Sequence, residues 1–300
     1  MKKQAWTITT PIESKSFAWL DAIAEPLQSG VQAVFGAGGL GKKVKSWLNG
    51  TPIRHRIHPA FIILPLGAWT TAALLDALEI TSDDPVRREG YAASADAAVV
   101  FGVLGALPTA ATGLADWVDT YGQERRVGTA HALLNTIALA LYGASWVLRR
   151  NGQRGWGQVL SLAGYSLGGL SASIGGEMVY GLGINVNYEF FSRPPEEFVD
   201  VLAIDDLPMD KPVVVEAGDV PVLLLRQGEK IYAVENWCTH AGGPLSEGKI
   251  EGNEVVCPWH GSRFCLADGA PLEGPASAPL RTFEVREQNG RIAVRPSDQA

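Results

Sequence analysis

Two short cysteine–histidine motifs contain the side chains of this sequence that are best suited to binding a metal. The first is Cys238-Thr239-His240 and the second is Cys257-Pro258-Trp259-His260, with 16 residues between them. Thiolates stabilise ferric iron and neutral imidazoles make an iron more oxidising, so this mixed set is typical of a 2Fe-2S cluster of raised potential. Zinc is the alternative, but zinc ligands are usually two to four residues apart and the C-x-H spacing is tighter. We therefore predict that these two Cys and two His bind a 2Fe-2S cluster.

The elements that position these motifs have the pattern of short β-strands. Six runs are rich in Val, Ile and alternating polar residues: 213–215, 222–226, 231–235, 254–256, 282–286 and 291–295. Turn sequences such as Gln227-Gly228 and Asn289-Gly290 separate them. The pattern predicts a small all-β domain over residues 198–300, with a Pro-containing linker at 185–197.

The same region resembles the Rieske family of iron–sulfur domains, in its ferredoxin type. The resemblance rests on the segments CPWHGSRF, GPLSEGKIEGNEVV and GPASAPLRTFEV and extends over about residues 197–296. It implies one cluster per chain, with both Cys on one iron and both His on the other, solvent-facing iron. It also implies that the loop around Pro275 shields the cluster.

Four residues are expected to surround the ligands: Ser262, Trp259, Phe264 and Pro275. Quinol-oxidising members of the Rieske family have a disulfide between the two ligand loops. By the resemblance, Gly243 and Trp259 occupy the positions of its two cysteines, so this chain lacks that disulfide. Phe264 stands where those proteins have a Tyr. The disulfide and the Tyr are both associated with a high reduction potential. Because both are absent, we expect a potential that is low among Rieske clusters. The third cysteine, Cys265, is expected to be a small buried residue.

The first half of the chain contains four long stretches without charged residues: 57–75, 97–115, 128–148 and 155–176. A helix of about 20 apolar residues crosses a bilayer. Buried helices of a soluble bundle are the alternative, but those show a polar stripe. Small residues at 164, 168, 172 and 176 give one helix a smooth face of the kind that membrane helices need for close packing. The fold class is therefore multidomain: an all-α four-helix transmembrane bundle over 51–184, followed by the small all-β domain.

Basic residues set the expected topology. Eight Lys and Arg flank the stretches on the side of both termini and five flank them on the other side, which predicts cytoplasmic N- and C-termini in a multi-pass protein of the inner membrane. The cations on the second side are Arg87, Arg88, Arg149, Arg150 and Arg154. Residues 1–50 mix aromatic, apolar and Lys residues, and we predict an amphipathic segment on the cytoplasmic membrane surface.

Four ionisable residues lie at membrane depth on the side of the termini: His58, His131, Asp116 and Glu177. Such residues are candidates for function because a charge inside a bilayer is costly. One interpretation is that they cap helices and bond to each other. The other is a cofactor site, either a haem b bound by His58 and His131 or a quinone pocket.

The helical region resembles an uncharacterised family of four-helix bacterial membrane domains. The segments LNGTPIRHRIHP, TGLADW, GTAHALLN and GGEMVYGLGINV carry the resemblance over about residues 45–188. Arg54 and Arg56 depart from the family's usual pattern, and its members often have His at the position of Glu177. The resemblance implies a membrane location and no established activity.

Composition narrows the class of protein further. The net charge is −7, and residues 196–300 contribute 9 basic and 18 acidic side chains, a net of −9. An acidic chain with no basic block argues against nucleic-acid binding, and three Cys exclude a disulfide scaffold. An oxygenase catalytic subunit is excluded because its mononuclear iron needs two further His with suitable spacing. We expect a membrane-anchored electron carrier with a redox partner protein, the alternatives being a quinol-linked respiratory subunit or a redox sensor.

Overall fold

A computed structural model describes residues 8–36 and 38–297, which fall into two compact units. The helical unit comprises the chain up to Val34 together with Ile57–Ile184. The head unit comprises Phe35–Arg56 and the chain from Asn185 onward.

The helical unit is all-α, as predicted. Its helices are α1 (Thr10–Glu13), α2 (Trp19–Gly36), α4 (His58–Thr81), α5 (Pro85–Trp117), α6 (Gly122–Arg150) and α7 (Arg154–Tyr180), while α3 (Gly38–Asn49) belongs to the head unit. Helix α4 packs mainly against α5, and α6 packs mainly against α7. The Asp84 carboxylate caps α5 by accepting from the backbone N–H groups of Val86 and Arg87, and Pro85 provides a preset first turn.

Within residues 8–36 and 38–297, three helices are long and apolar enough to cross a membrane: His58–Thr81, Pro85–Trp117 and Gly122–Arg150. The fourth predicted stretch, 155–176, lies inside α7 and is helical, but its many Gly and Ser residues make it less apolar. The helical fold class is thus confirmed with three candidate spans, and a fourth span stays a prediction.

A network of buried charges lies between α4, α5, α6 and α7. Arg149 Nη1 donates to Asp76 Oδ1 at 2.8 Å and to Asp96 Oδ1 at 3.1 Å, and its side chain is 0% exposed. Arg154 donates to Glu79 at 2.7 Å and to Asp96 at 2.7 Å. Arg149 and Arg154 were expected to be loop cations, but carboxylates of neighbouring helices neutralise both. A charge that is removed from water has to be paired.

Helices α1 and α2 pack against the other helices of the helical unit. Arg126 Nη2 pairs with Asp21 at 2.6 Å, and the Gln28 amide donates to the carbonyl of Val118 at 3.0 Å. The placement of residues 1–50 on a membrane surface stays a prediction.

The described residues of the head unit form ten short strands in three antiparallel sheets, so the all-β prediction is confirmed. The strands are β1 (Val199–Ala203), β2 (Val213–Ala217), β3 (Val220–Gln227), β4 (Lys230–Glu235), β5 (Lys249–Glu251), β6 (Glu254–Val256), β7 (Arg263–Cys265), β8 (Pro271–Glu273), β9 (Phe283–Gln288) and β10 (Arg291–Pro296). The sheet orders are β1-β10-β9, β2-β3-β4 and β5-β6-β7-β8. The sequence patterns missed β1, β5, β7 and β8, three of which have only three residues, too few for an alternation to be visible.

Strand β3 explains how so small a domain supports two cores. Leu223 and Leu225 face one buried cluster with Phe264 and Cys238, whereas Val222 and Leu224 face a second cluster with Ile292. Successive side chains of a strand point to opposite faces, so a strand buried on both sides is a continuous apolar run. The first of these clusters lies directly beneath the cysteine–histidine motifs.

Candidate functional site

The two cysteine–histidine motifs occupy loops with the same backbone hydrogen bonds. In the loop after β4, Cys238 N–H donates to Gly243 O at 2.9 Å, and Gly242 N–H donates to Cys238 O at 2.8 Å. In the loop between β6 and β7, Cys257 N–H donates to Ser262 O at 2.8 Å, and Gly261 N–H donates to Cys257 O at 3.1 Å. Gly242 and Gly261 have φ of 72° and 73°, a region that favours glycine.

The fold brings the four predicted ligands together as two pairs. The Nδ1 atoms of His240 and His260 are 3.2 Å apart, with their rings nearly perpendicular. The thiols of Cys238 and Cys257 are hydrogen-bonded to each other. Cys238, Cys257 and His240 are buried, with His240 only 4% exposed.

The electrostatics of the thiol pair follow from this contact. The hydrogen bond donated by Cys238 lowers the pKa of Cys257 to about 7. The same hydrogen bond and burial raise the pKa of Cys238 well above its ordinary value. Burial also lowers the pKa of His240 far below its ordinary value. A low-pKa thiolate and a neutral imidazole are the forms in which these side chains bind metal.

The donor set fits a 2Fe-2S cluster. Two sulfur donors lie side by side and two imidazole nitrogens lie side by side, one pair for each of two irons. Over the described part of the chain, no three His, Cys, Asp or Glu side chains converge on the position of a single ion.

The surrounding residues differ in how closely they enclose this site. Ser262 is buried, and its Oγ accepts from the backbone N–H of Ala276 at 3.0 Å, which leaves the hydroxyl hydrogen to donate elsewhere. Phe264 lies in the core beneath the motifs, and Pro275 is buried. Trp259 is 53% exposed, so it covers one edge of the site and does not enclose it. Cys265 is half-buried on β7, where the Asn253 amide approaches its sulfur at 3.8 Å.

Gly243 has no side chain, and Cys257 and Trp259 lie in the space beside it. A Cβ at this position would lie 2.9 Å from Cys257 Sγ and 3.1 Å from the Trp259 ring. A cysteine there, as needed for a loop disulfide, would collide with the neighbouring thiol.

Two residues near the site were missed in the sequence. The Ser46 Oγ accepts from Gly274 N–H at 3.0 Å, and the Thr51 hydroxyl donates to Ala276 O at 2.8 Å. Both lie in the head unit, more than 200 residues before the loop that they contact. No local pattern predicts a contact across that sequence distance.

The polar residues of the helical unit are bonded to neighbouring helices. His58 Nδ1 lies 3.1 Å from Thr109 O and 3.0 Å from Thr112 Oγ1. His131 Nδ1 lies 2.9 Å from Ser171 O, and its Nε2 lies 3.1 Å from the Asn135 amide.

The two remaining polar residues lie close to helix partners as well. The charge of Asp116 acts on His58, so these two predicted site residues are brought near each other. The Glu177 carboxylate lies against Gly181, one turn further along its own chain segment.

Comparison with known proteins identifies both parts of the chain. Residues 197–284 match the Rieske 2Fe-2S domain, and residues 54–188 match the family described as a predicted membrane protein, DUF2231. Ferredoxin CarAc of Metapseudomonas resinovorans is 39% identical over 77 residues, 26% of this chain and 72% of that protein. The ferredoxin component of the naphthalene 1,2-dioxygenase/salicylate 5-hydroxylase systems of a Ralstonia species is 31% identical over 100 residues, 33% of this chain and 96% of the relative.

A solved structure is similar over the same region. The ferredoxin of carbazole 1,9a-dioxygenase from Nocardioides aromaticivorans IC177 is 31% identical, covering 33% of this chain and 98% of its own, with a TM-score of 0.32. The family match and the ferredoxin relatives define the class as that of Rieske iron–sulfur proteins. The present chain belongs to the Rieske family, carries a Rieske 2Fe-2S cluster and joins it to an N-terminal DUF2231 domain.

Proposed function

We propose that this protein is a membrane-anchored electron carrier whose cluster is held by Cys238, His240, Cys257 and His260. The observation that carries the proposal is the convergence of two buried thiols and of two imidazole Nδ1 atoms, one on the buried His240 and one on the half-buried His260. The cluster supplies a one-electron couple when it is bound. No bond is made or broken on a substrate.

The residues of the site account for where an electron would enter or leave. The thiol side lies in the apolar core with Phe264, Leu223 and Leu245, which excludes water. His260 is half-buried and Trp259 is largely exposed, so this edge is the one open to a partner. Electron exchange is expected there because it requires close approach and no entry of a substrate.

The ferredoxin relatives support a redox protein as partner. Several of them are named as ferredoxin components of dioxygenase systems, which we extend to this chain as a proposal: a reductase donates the electron and a terminal oxygenase or another acceptor receives it. Gly243 and Trp259 stand at the two positions where a loop disulfide would need cysteines, and Phe264 has no hydroxyl. Both features favour the low reduction potential of a ferredoxin-type cluster over the quinol-linked alternative.

The helical unit supports the membrane location. Three helices are apolar and long enough to span, and the DUF2231 family is described as membrane proteins. We propose that α7 provides a fourth span, that the membrane is the inner membrane, and that both termini are cytoplasmic. The proposed boundaries are a membrane-surface segment over 1–50, the transmembrane domain over 51–184, a linker over 185–197 and the cluster domain over 198–300.

The test is spectroscopy of the full chain purified in detergent, oxidised and reduced. The wild type should give the absorption and electron paramagnetic resonance (EPR) spectra of a Rieske cluster that is reversibly reduced by one electron. Cys257→Ser should lose the cluster, and the matched control Cys265→Ser should keep it. Loss of the cluster in Cys265→Ser with retention in Cys257→Ser would show the ligand assignment to be wrong.

The same absorption spectrum tests the haem hypothesis. A haem b on His58 and His131 would give a Soret band after expression with ample haem. Both ring nitrogens of His131 have protein partners, which favours the packing role. A preparation without a Soret band would leave that role in place, and a quinone site would then be sought by extracting bound lipid.

A further inference from the structure

Helix α3 and the turn Thr51–Ile53 belong to the head unit, although they precede the helical unit in the sequence. Three polar contacts join them to the loop 273–276. Ser46 Oγ accepts from Gly274 N–H at 3.0 Å, the Thr51 hydroxyl donates to Ala276 O at 2.8 Å, and Lys42 Nζ lies 3.4 Å from Glu273 Oε1. We call residues 38–56 the cap segment.

These contacts are made where the loop is tightest. Ser46 and Thr51 are buried and satisfy the two backbone groups on either side of Pro275. A Cβ at Gly274 would lie 2.5 Å from Thr51 Oγ1, so only glycine permits this approach. An unmet buried backbone group costs about 1–3 kcal/mol, so the contacts fix the loop in place.

The cap segment is linked through one residue to the ligand environment. Thr51 holds the carbonyl of Ala276, and the N–H of the same Ala276 donates to Ser262 Oγ at 3.0 Å. That bond orients the Ser262 hydroxyl, whose own hydrogen remains available as a donor. Thr51 is therefore placed to set the direction in which Ser262 donates.

The cap segment also brings positive charge to an acidic domain. Lys45 adjoins Ser46, Arg56 follows Thr51 by five residues, and both cations are half-buried in the segment that contacts the loop 273–276. Residues 196–300 have a net charge of −9, which is opposite in sign to these two cations. A reduced cluster carries one more negative charge than an oxidised one, and nearby cations stabilise it.

We propose that the cap segment completes the environment of the cluster on the side of the loop 273–276 and raises its reduction potential, with Lys45 and Arg56 as the charges and Ser46 and Thr51 as positioning residues. The inference rests on the proposed function. The region that matches the Rieske domain, 197–284, contains none of these residues. This chain thus tunes its cluster with a part that lies outside the domain itself.

The charge part is tested on the full chain by EPR-monitored redox titration. Arg56→Gln and Lys45→Gln should each lower the ratio of reduced to oxidised cluster at a fixed potential by about twofold or more, and less at high salt. Lys43→Gln removes the same charge from an exposed position of α3 and should give the smaller shift. Equal shifts in all three variants would overturn the role of Lys45 and Arg56.

The positioning part is tested with Thr51→Val, which keeps the shape and removes the hydroxyl, and with Thr51→Ser, which restores it. The Val variant should lower the potential and speed amide exchange at Gly274 and Ala276, and the Ser variant should return both to the wild-type values. In a Ser262→Ala background, Thr51→Val should add little further shift, because the two act on one bond.

The outcomes separate this inference from the function on which it rests. A wild-type chain without a Rieske spectrum would refute the proposed function. Thr51→Val and Arg56→Gln could instead both keep a full cluster, the wild-type reduction potential and wild-type amide exchange in the loop. That result would refute the role of the cap segment and leave the proposed function standing. If Thr51→Val fails to take up a cluster, exchange in the loop and the two charge variants decide.

Discussion

At the scale of single residues, the hydroxyl of Ser262 and the ring of Phe264 set the polarity next to the ligands. Ser262 is buried and accepts one hydrogen bond, from Ala276, so its own hydrogen is left to stabilise negative charge. Phe264 is fully buried beneath the motifs and has no polar atom. One hydroxyl is therefore present and a second is missing.

We expect the wild-type potential in the lower part of the Rieske range of about −150 to +300 mV. Ser262→Ala should lower it because a hydrogen bond that stabilises the reduced state is lost, and Phe264→Tyr should raise it by adding one. The shifts should be on the order of tens of millivolts, with full cluster occupancy in both variants. Protein-film voltammetry measures them, and a wild-type value near the top of the range would favour the quinol-linked alternative.

Gly243 makes a steric prediction at the same scale. Gly243→Ala places a methyl group 2.9 Å from Cys257 Sγ and should reduce the iron content of the purified protein. Gly242→Ala is the matched control: its φ of 72° strains an alanine, but the nearest atom to the new Cβ is 3.7 Å away, on Tyr188. A greater loss of iron in the control would show that backbone strain, not the thiol contact, decides.

At the scale of elements, the turn Tyr188–Phe191 is fixed to the strands by a buried pair of carboxyl groups. Glu189 Oε2 accepts from Arg281 N–H at 3.0 Å, and Arg281 Nη1 pairs with Glu235 at the end of β4. Ser192 Oγ also donates to Glu235, at 3.1 Å. The Arg281 guanidinium thus pairs with Glu235, whereas the Glu189 carboxylate accepts only from the Arg281 backbone N–H.

Burial, followed by the Glu235 charge, raises the pKa of Glu189 from its ordinary 4.5 to about 9. Between these values the folded protein keeps a proton that the unfolded chain releases, so the free energy of unfolding falls as pH rises through this window. The slope for one proton approaches about 1.4 kcal/mol per pH unit. Glu189→Gln should flatten the dependence of the thermal midpoint between pH 6 and 9, measured by visible circular dichroism. Glu229→Gln, on an exposed turn, should leave the slope unchanged.

The charge network of α4 to α7 makes a second prediction for elements. Arg149→Gln leaves the buried Asp76 carboxylate with one partner fewer and should destabilise the helical unit by about 3 kcal/mol. Arg150→Gln, one residue further on and exposed, should change stability by less than about 0.5 kcal/mol. Thermal unfolding in detergent, followed by far-ultraviolet circular dichroism, compares them. Similar effects of the two variants would contradict a structural role for the network.

At the scale of the whole molecule, the distribution of basic residues predicts a cytoplasmic head. Eight Lys and Arg flank the spans on the side of the termini and five flank them on the other side, and paired cations occur on both sides, for example Arg126 and Arg149. A C-terminal fusion to alkaline phosphatase should therefore be inactive, because that enzyme needs an oxidising compartment for its disulfides. High activity of the intact fusion would reverse the topology. A fusion to green fluorescent protein at the same position should fluoresce.

The sequence alone determined the parts of this protein whose chemistry is local. Ligand spacing predicted the cluster, and a run of about 20 apolar residues or an alternation of Val and Ile predicted the helices and the longer strands. These features depend on neighbours a few residues away, because the periods of a helix and a strand are 3.6 and 2 residues. The three-residue strands β5, β7 and β8 carried too little of such a pattern.

The tertiary structure decided which distant groups meet. Nothing local distinguishes Arg149, which is buried on Asp76, from Arg150, which is exposed, or indicates that Glu189 shares Arg281 with Glu235. Ser46 contacts a loop 228 residues away, so a segment expected to lie on a membrane surface also contacts the loop around Pro275. Such contacts are selected by the packing of whole elements and by the need to pair each buried polar group, and a pattern along the chain records neither.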